Sequence, residues 1–145
     1  MATVRERSSE LLHLLHENLQ DYKMLLQLAE EAHEELAAGD AESLDARMVR
    51  RQEIQREIAV RDGAIKRLRE REANASLPGG AEELVEETVQ IVAAIQEVDR
   101  KTLRFMEGER ERLRDGILAL RQGKRAAKGY SKSQSHPPRF LDRRS

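Results

Sequence analysis

Few residues in this 145-residue chain have types and spacing suited to chemistry. His13 and His16 are three residues apart on a predicted helix, which would place both imidazoles on one face. A zinc site needs three or four ligands, and the chain has no Cys and no further His clustered beside this pair. We interpret the two histidines as polar residues that flank an apolar face, and we predict no metal site.

Adjacent carboxylates recur along the chain: Glu30-Glu31, Glu34-Glu35, Glu82-Glu83 and Glu86-Glu87. General acid–base catalysis needs a cleft that raises the pKa of one carboxyl group, and a thin helical protein offers little room for one. Ser131, Ser133 and Ser135 have no neighbouring base that would make a nucleophile. Gly79-Gly80 precedes acidic residues that would repel a phosphate. We therefore predict that the protein is not an enzyme and has no cofactor.

The composition is typical of long amphipathic helices. Hydrophobic residues make up 39% of the chain, charged residues 37% and aromatic residues only 3%. Such helices bury a narrow stripe and leave the other side in water, so a thick core is not needed. No apolar run approaches the roughly 18 residues of a membrane span, and the N-terminus does not resemble a signal peptide. The expected location is the cytoplasm, with no membrane insertion.

The apolar period predicts an all-α protein, an elongated antiparallel bundle or coiled coil of three long helices at about residues 8–38, 41–73 and 81–127. Ser8 or Ser9 is the expected N-cap of the first helix, and Gly39 suits the left-handed position after its end. Asp40 is expected to cap the second helix. We divide the chain into a helical domain, 1–127, and a flexible basic C-terminal tail, 128–145.

The second helix has a thinner apolar stripe than the first, and Arg47, Arg51 and Arg61 interrupt it. We expect their aliphatic stems to cover apolar surface while their charged heads reach water. The third helix carries Leu84, Thr88, Ile91, Ile95, Val98, Thr102 and Phe105 on one face. The pattern then shifts by one residue to Met106, Leu113, Ile117 and Leu120, in a region that Gly108, Gly116 and Gly123 should soften.

The predicted third helix spans about 70 Å, some 20 Å more than either partner helix. The excess length carries Leu113, Ile117, Leu118 and Leu120. If they are left bare, these residues form an apolar patch of the kind that marks an interaction site. Binding of a partner protein is the favoured interpretation, and self-association into a homodimer through the same stripe is the alternative.

Two of the four aromatic residues, Tyr130 and Phe140, lie in a C-terminal segment that shows no apolar period. From Arg121 onward the chain has eight basic residues and one acidic residue. Aromatic residues in a polar segment indicate docking to another protein, and the charge favours an acidic surface on that protein. Nucleic acid is the less favoured partner, because no groove-reading motif is present and the first helix is acidic.

Three segments together resemble the FlgN family, the type III export chaperones of the flagellum. They are Leu11-Leu-His-Leu-Leu15 through Tyr22 to Leu25-Leu-Gln-Leu-Ala29, then Leu36-Ala-Ala-Gly-Asp40 with Leu44 and Arg51-Gln52, and finally Gly129-Tyr130 with Arg139-Phe-Leu-Asp142. The family often has Gly after the tail Tyr, where this chain has Ser131.

The resemblance implies a cytoplasmic chaperone that binds amphipathic C-terminal helices of hook-associated (hook–filament junction) proteins, prevents premature assembly and delivers them to the export gate. We assign the client helix to Phe105, Leu113, Ile117 and Leu120, and docking to the export machinery to Tyr130, Phe140 and Asp142. The alternative is a structural coiled-coil component of the export apparatus that dimerises through its helical stripes.

Overall fold

The computed structural model describes residues 3–72 and 75–133, with side chains as far as residue 129. Three long helices account for nearly all of this part of the chain: α1 (Val4–Ala37), α2 (Leu44–Arg71) and α3 (Ala81–Ser133). No strand occurs among the described residues, so the predicted all-α class is confirmed. The chain divides into two units, Met1–Leu103 and Arg104–Ser145. No described helix has a stretch long and apolar enough to cross a membrane.

Local hydrogen bonds satisfy free backbone groups at both ends of α1. Thr3 is the N-cap in place of the expected Ser8 or Ser9: its hydroxyl accepts from the Glu6 backbone N–H at 3.1 Å, and the Glu6 carboxylate accepts from the Thr3 N–H at 3.3 Å. This reciprocal capping box starts the helix four residues before the predicted position. At the other end Gly39 has φ +79°, as predicted, and Asp40 N–H donates to the Glu35 carbonyl at 2.8 Å.

α3 begins at Ala81, as predicted, whereas both ends of α2 and the far end of α3 differ from the predicted bounds by a few residues. Ser43, with no side-chain cap bond, precedes α2, and the Asp40 carboxylate accepts from the Glu42 N–H at 3.2 Å within the turn instead. At the far end of the chain, α3 continues six residues beyond the predicted end and includes Tyr130. Thus the first six residues of the segment predicted as a tail, 128–133, are helical.

The first unit is built on heptad-spaced faces. Contacts such as Arg61 with Glu17 and Arg47 with Glu31 show that α2 runs antiparallel to α1. The central core cluster contains Leu25 from α1, Ile54 and Ile58 from α2, and Ile95 from α3. The partly buried residues packed against it are Tyr22, Leu26, Leu28 and Ile91. The predicted apolar stripes of α1 and of the first part of α3 thus pack in one cluster with residues of α2.

Three arginines occupy positions of α2 that face the neighbouring helices, and each is ion-paired there. Arg47 pairs with Glu31 and Glu35 of α1. Arg61 also pairs with α1, where Glu17 accepts from its Nε at 3.0 Å and Asp21 binds its Nη1. The charged heads are met by acidic residues of the facing helix, a pairing that was not predicted from the sequence, and the two arginine side chains remain about one-fifth exposed.

Arg51 makes the corresponding connection to α3. Its Nη1 and Nη2 donate to the two carboxylate oxygens of Asp99 at 3.2 and 3.1 Å. This bidentate arrangement fixes the position and the orientation of the two side chains relative to each other. His33 and Thr102 add a side-chain hydrogen bond between α1 and α3 at 3.1 Å. Polar contacts therefore join all three helices of the first unit around a small apolar centre.

Ile54 is fully buried in this centre, whereas Val60 of the same helix is 71% exposed. Ile54→Ala removes buried methyl and methylene groups and leaves a cavity, so we expect the free energy of unfolding to fall by about 2–5 kcal/mol. Val60→Ala is the matched control, with an expected change within about 0.5 kcal/mol. Urea denaturation followed by circular dichroism measures both, and equal losses would contradict the assigned core.

The pair of Glu35 with Arg47 predicts a pH-dependent contribution to stability. Hydrogen bonds from Arg47, and then its positive charge, hold the pKa of Glu35 below the ordinary value, against the opposing effect of burial. A carboxyl group whose pKa is lower in the folded state stabilises the fold above its unfolded-state pKa, and that contribution is lost as the pH falls through the folded-state pKa.

Glu35→Gln should therefore lower the melting temperature at pH 7, and the difference from the parent chain should shrink when the pH is lowered to about 3. The exposed neighbouring residue supplies the control, Glu34→Gln. Thermal melts at the two pH values measure the effect. A difference of the same size at both would show that the ion pair does not carry it.

Candidate binding surface on the third helix

The second unit consists, in its described part, of the α3 residues from 104 to 133. Most of its described side chains are exposed, including those of large apolar residues. The exposed fractions are 48% for Met106, 68% for Leu113, 50% for Ile117, 45% for Leu118 and 69% for Leu120. Isolated exposed leucines are common on protein surfaces, so the arrangement of these residues decides whether they form a site.

Four of the five lie on one side of the helix. Leu113, Ile117 and Leu120 follow one another at steps of four and three residues, within about 60° around the axis, and Met106 lies two turns earlier on the same side. We call Met106, Leu113, Ile117 and Leu120 the exposed stripe. Leu118 points about 140° away from Leu113, so it does not belong to this surface.

Phe105 does not join the other predicted client-binding residues. It lies about 80° around the helix from Leu113 and is half-buried, whereas Leu113 is largely exposed. Its position continues the earlier face that carries Ile95 and Thr102, before the pattern shifts by one residue. The structure therefore brings together three of the four residues assigned from the sequence and leaves Phe105 on a different face.

A shallow groove borders the exposed stripe on one side, where Glu109, Arg112 and Gly116 line it together with Leu113, Ile117 and Leu120. Arg112 donates to Glu109 at 3.0 Å along this border. A methyl group at Gly116 would have no atom within 4 Å, so the single chain does not need glycine there for steric reasons. Beside the apolar side chains, the groove therefore offers polar groups and a stretch of backbone that no side chain covers.

Charge divides the surface along the helix. Residues 104–115 contain four basic and four acidic residues, whereas residues 116–133 contain five basic residues and no acidic one. A ligand that follows the stripe towards residue 133 therefore meets an increasingly positive surface.

Of the three residues assigned to docking on the export machinery, one lies in the part of the chain that the structure describes. Tyr130 lies in α3, and neither Phe140 nor Asp142 falls within the described residues. The composition of the segment suggested a tail from residue 128, but Ala126 and Ala127 favour helix and a single Gly129 costs only about 1 kcal/mol.

A second concave surface lies in the first unit, where Tyr22, Ile58 and Ile95 line a groove. Burial, with a smaller effect of the negative charge of Asp62, raises the pKa of the Tyr22 hydroxyl. Three of the six polar side chains at the rim are already bound within the protein, as Arg51 pairs with Asp99 and Asp62 accepts from Asn18 at 2.9 Å. They do not converge on an empty position, so this groove is a weaker candidate than the exposed stripe.

Among the residues that the structure describes, no three His, Asp or Glu side chains come together as metal ligands. His13 instead pairs with Glu17 at 2.7 Å on the surface of α1.

Comparison with known proteins gives no match: no family model fits the chain, and neither a curated protein nor a solved structure is significantly similar to it.

Proposed function

We propose that the protein is a cytoplasmic export chaperone of the FlgN type, which binds amphipathic C-terminal helices of hook-associated proteins and delivers them to the type III export apparatus. The exposed stripe is the observation that carries the proposal. Leu113, Ile117 and Leu120 are half to two-thirds exposed along one helical face. An amphipathic client helix would cover such a face with side chains at matching intervals.

The size of the stripe predicts how strongly a client binds. Covering three side chains that are already partly buried contributes about 3–5 kcal/mol. Association itself costs at least about 4 kcal/mol in lost translational and rotational freedom. The three apolar contacts alone therefore give little net affinity, and the basic residues at positions 121, 124 and 128 supply the remainder through an acidic flank of the client. Binding should weaken as the salt concentration rises.

Delivery would use a second segment of the chain. In the proposal Tyr130, Phe140 and Asp142 contact the export gate, and the neighbouring basic residues favour an acidic surface on that partner. Adjacent client and gate contacts would let one small protein hold both partners. A structural coiled-coil component of the export apparatus is the competing function, and it predicts a stable dimer that has no affinity for client helices.

The combined substitution Leu113→Asp and Ile117→Asp tests the client site. It places two carboxylates where apolar contacts are required, so we expect binding of hook-associated subunits to fall at least tenfold while helical content and melting temperature stay unchanged. Leu118→Asp is the matched control on another side of the same helix and should bind normally. Isothermal titration with a purified subunit measures both, and unchanged affinity in the double variant would contradict the site.

Tyr130→Ala tests the delivery segment separately. We expect client affinity to stay within twofold of the parent chain, because Tyr130 is not assigned to client binding. Secretion of the client should fall, because the docking contact with the gate is lost. Quantifying hook-associated subunits in culture supernatant measures the effect, with Ser133→Ala as the control. Normal secretion by the Tyr130 variant would refute its role in docking.

A further inference from the structure

The exposed stripe also suits a second copy of the same helix. Met106, Leu113, Leu120 and Ala127 are spaced by seven residues, with Ile117 between the middle two. This spacing is that of a two-helix coiled coil, in which each apolar side chain inserts between four residues of the facing helix. Apolar spacing alone permits both parallel and antiparallel pairing, so the charges beside the stripe must select one.

The charges favour the antiparallel arrangement. In a parallel pair the five basic residues of 116–133 would lie against the same five basic residues of the other copy. In an antiparallel pair that sets residue 106 against residue 124, the three basic residues at 121, 124 and 125 lie instead against residues 105–109, which contain two acidic residues and no basic one. Reversal of one helix thus removes the repulsion along half of the interface.

One flank of the stripe shows the complementarity in detail. Glu107, Arg114, Arg121 and Lys128 follow one another at seven-residue intervals on this flank, and all are exposed. Antiparallel helices place this flank against its own copy, so in the register that sets Met106 near Lys124, Glu107 faces Arg121 of the second copy. Arg114, near the centre, then faces the same residue of the other copy, and this repulsion keeps the pair weak.

The other flank has room for a close approach. A methyl group at Gly116 or Gly123 would meet no atom within 4 Å, so neither glycine is required by packing within the chain. Their lack of side chains lets a facing backbone come nearer to the stripe.

We propose that two copies pair in antiparallel fashion through residues 106–127 and so cover the exposed stripe before a client arrives. Displacement of the second copy by a client helix would then couple client binding to dissociation of the pair. The pairing stands on the stripe and its charges, whereas the displacement step rests on the proposed function.

Single-cysteine variants test the arrangement, because the chain has no native Cys. Met106→Cys and Lys124→Cys chains, mixed and treated with a short bis-maleimide, should give a crosslinked dimer, while neither variant alone should. In a parallel pair these positions would be about 27 Å apart, beyond the reach of the reagent. Each variant would instead crosslink to itself, and that result would overturn the antiparallel proposal.

Sedimentation equilibrium of the uncrosslinked parent chain should give twice the chain mass at high protein concentration, and Leu113→Asp with Ile117→Asp should reduce it to one chain mass. A single chain mass for the parent at every concentration would overturn the pairing. A synthetic amphipathic helix of Leu, Ala and Glu should lower the crosslinking yield at least fivefold. If the peptide binds but the yield is unchanged, the displacement step is wrong and the pairing stands.

Discussion

Three arginines lie where α2 faces its neighbours, and the packing of the first unit depends on how they are neutralised. A guanidinium group that packs between helices loses part of its hydration, and a facing carboxylate offsets that loss, so carboxylates favour the placement of Arg47, Arg51 and Arg61 between the helices. Glu31 and Glu35 meet the first, Asp99 the second and Glu17 with Asp21 the third. A shift of α2 along α1 would separate these pairs, so the charges set the register that the small apolar centre of Ile54 and Ile58 would set only loosely.

The heptad pattern allowed the apolar part of this arrangement to be predicted from the sequence, but the polar part could not be predicted in the same way. Leu25, Ile54 and Ile95 lie on predicted stripes and meet in the core. Asn18 was missed, although it occupies a position of the α1 repeat and is only 5% exposed, because a polar residue breaks an apolar pattern. Its side chain bridges to Asp62 and Arg61, partners that are more than 40 residues away in sequence.

Local signals had a mixed outcome for similar reasons. The Thr3 and Glu6 capping box has a recognisable sequence pattern. The N-cap was placed at Ser8 or Ser9 in the sequence analysis because serine is a common N-cap residue, so the capping box was not predicted. The exposure of Leu113, Ile117 and Leu120 follows from helix lengths, so it was predictable. Phe105 was grouped with them because it is apolar and near in sequence, whereas the one-residue shift in the pattern puts it on a different face. What a face binds depends on a partner, and the chain specifies only the spacing and the charge that the partner must match.

The two units differ in how they use apolar residues. Up to Leu103 such residues close a small core within the chain, and beyond it they form a face whose side chains are largely exposed. Hydrogen exchange at a dilution that keeps the protein monomeric tests this difference most directly, with and without the C-terminal helix of a hook-associated protein. We expect slow exchange in the core segments around Leu25 and Ile54 in both states, and slowing confined to residues 106–128 when the helix is added. Slowing in α1 or α2, with none in residues 106–128, would contradict it.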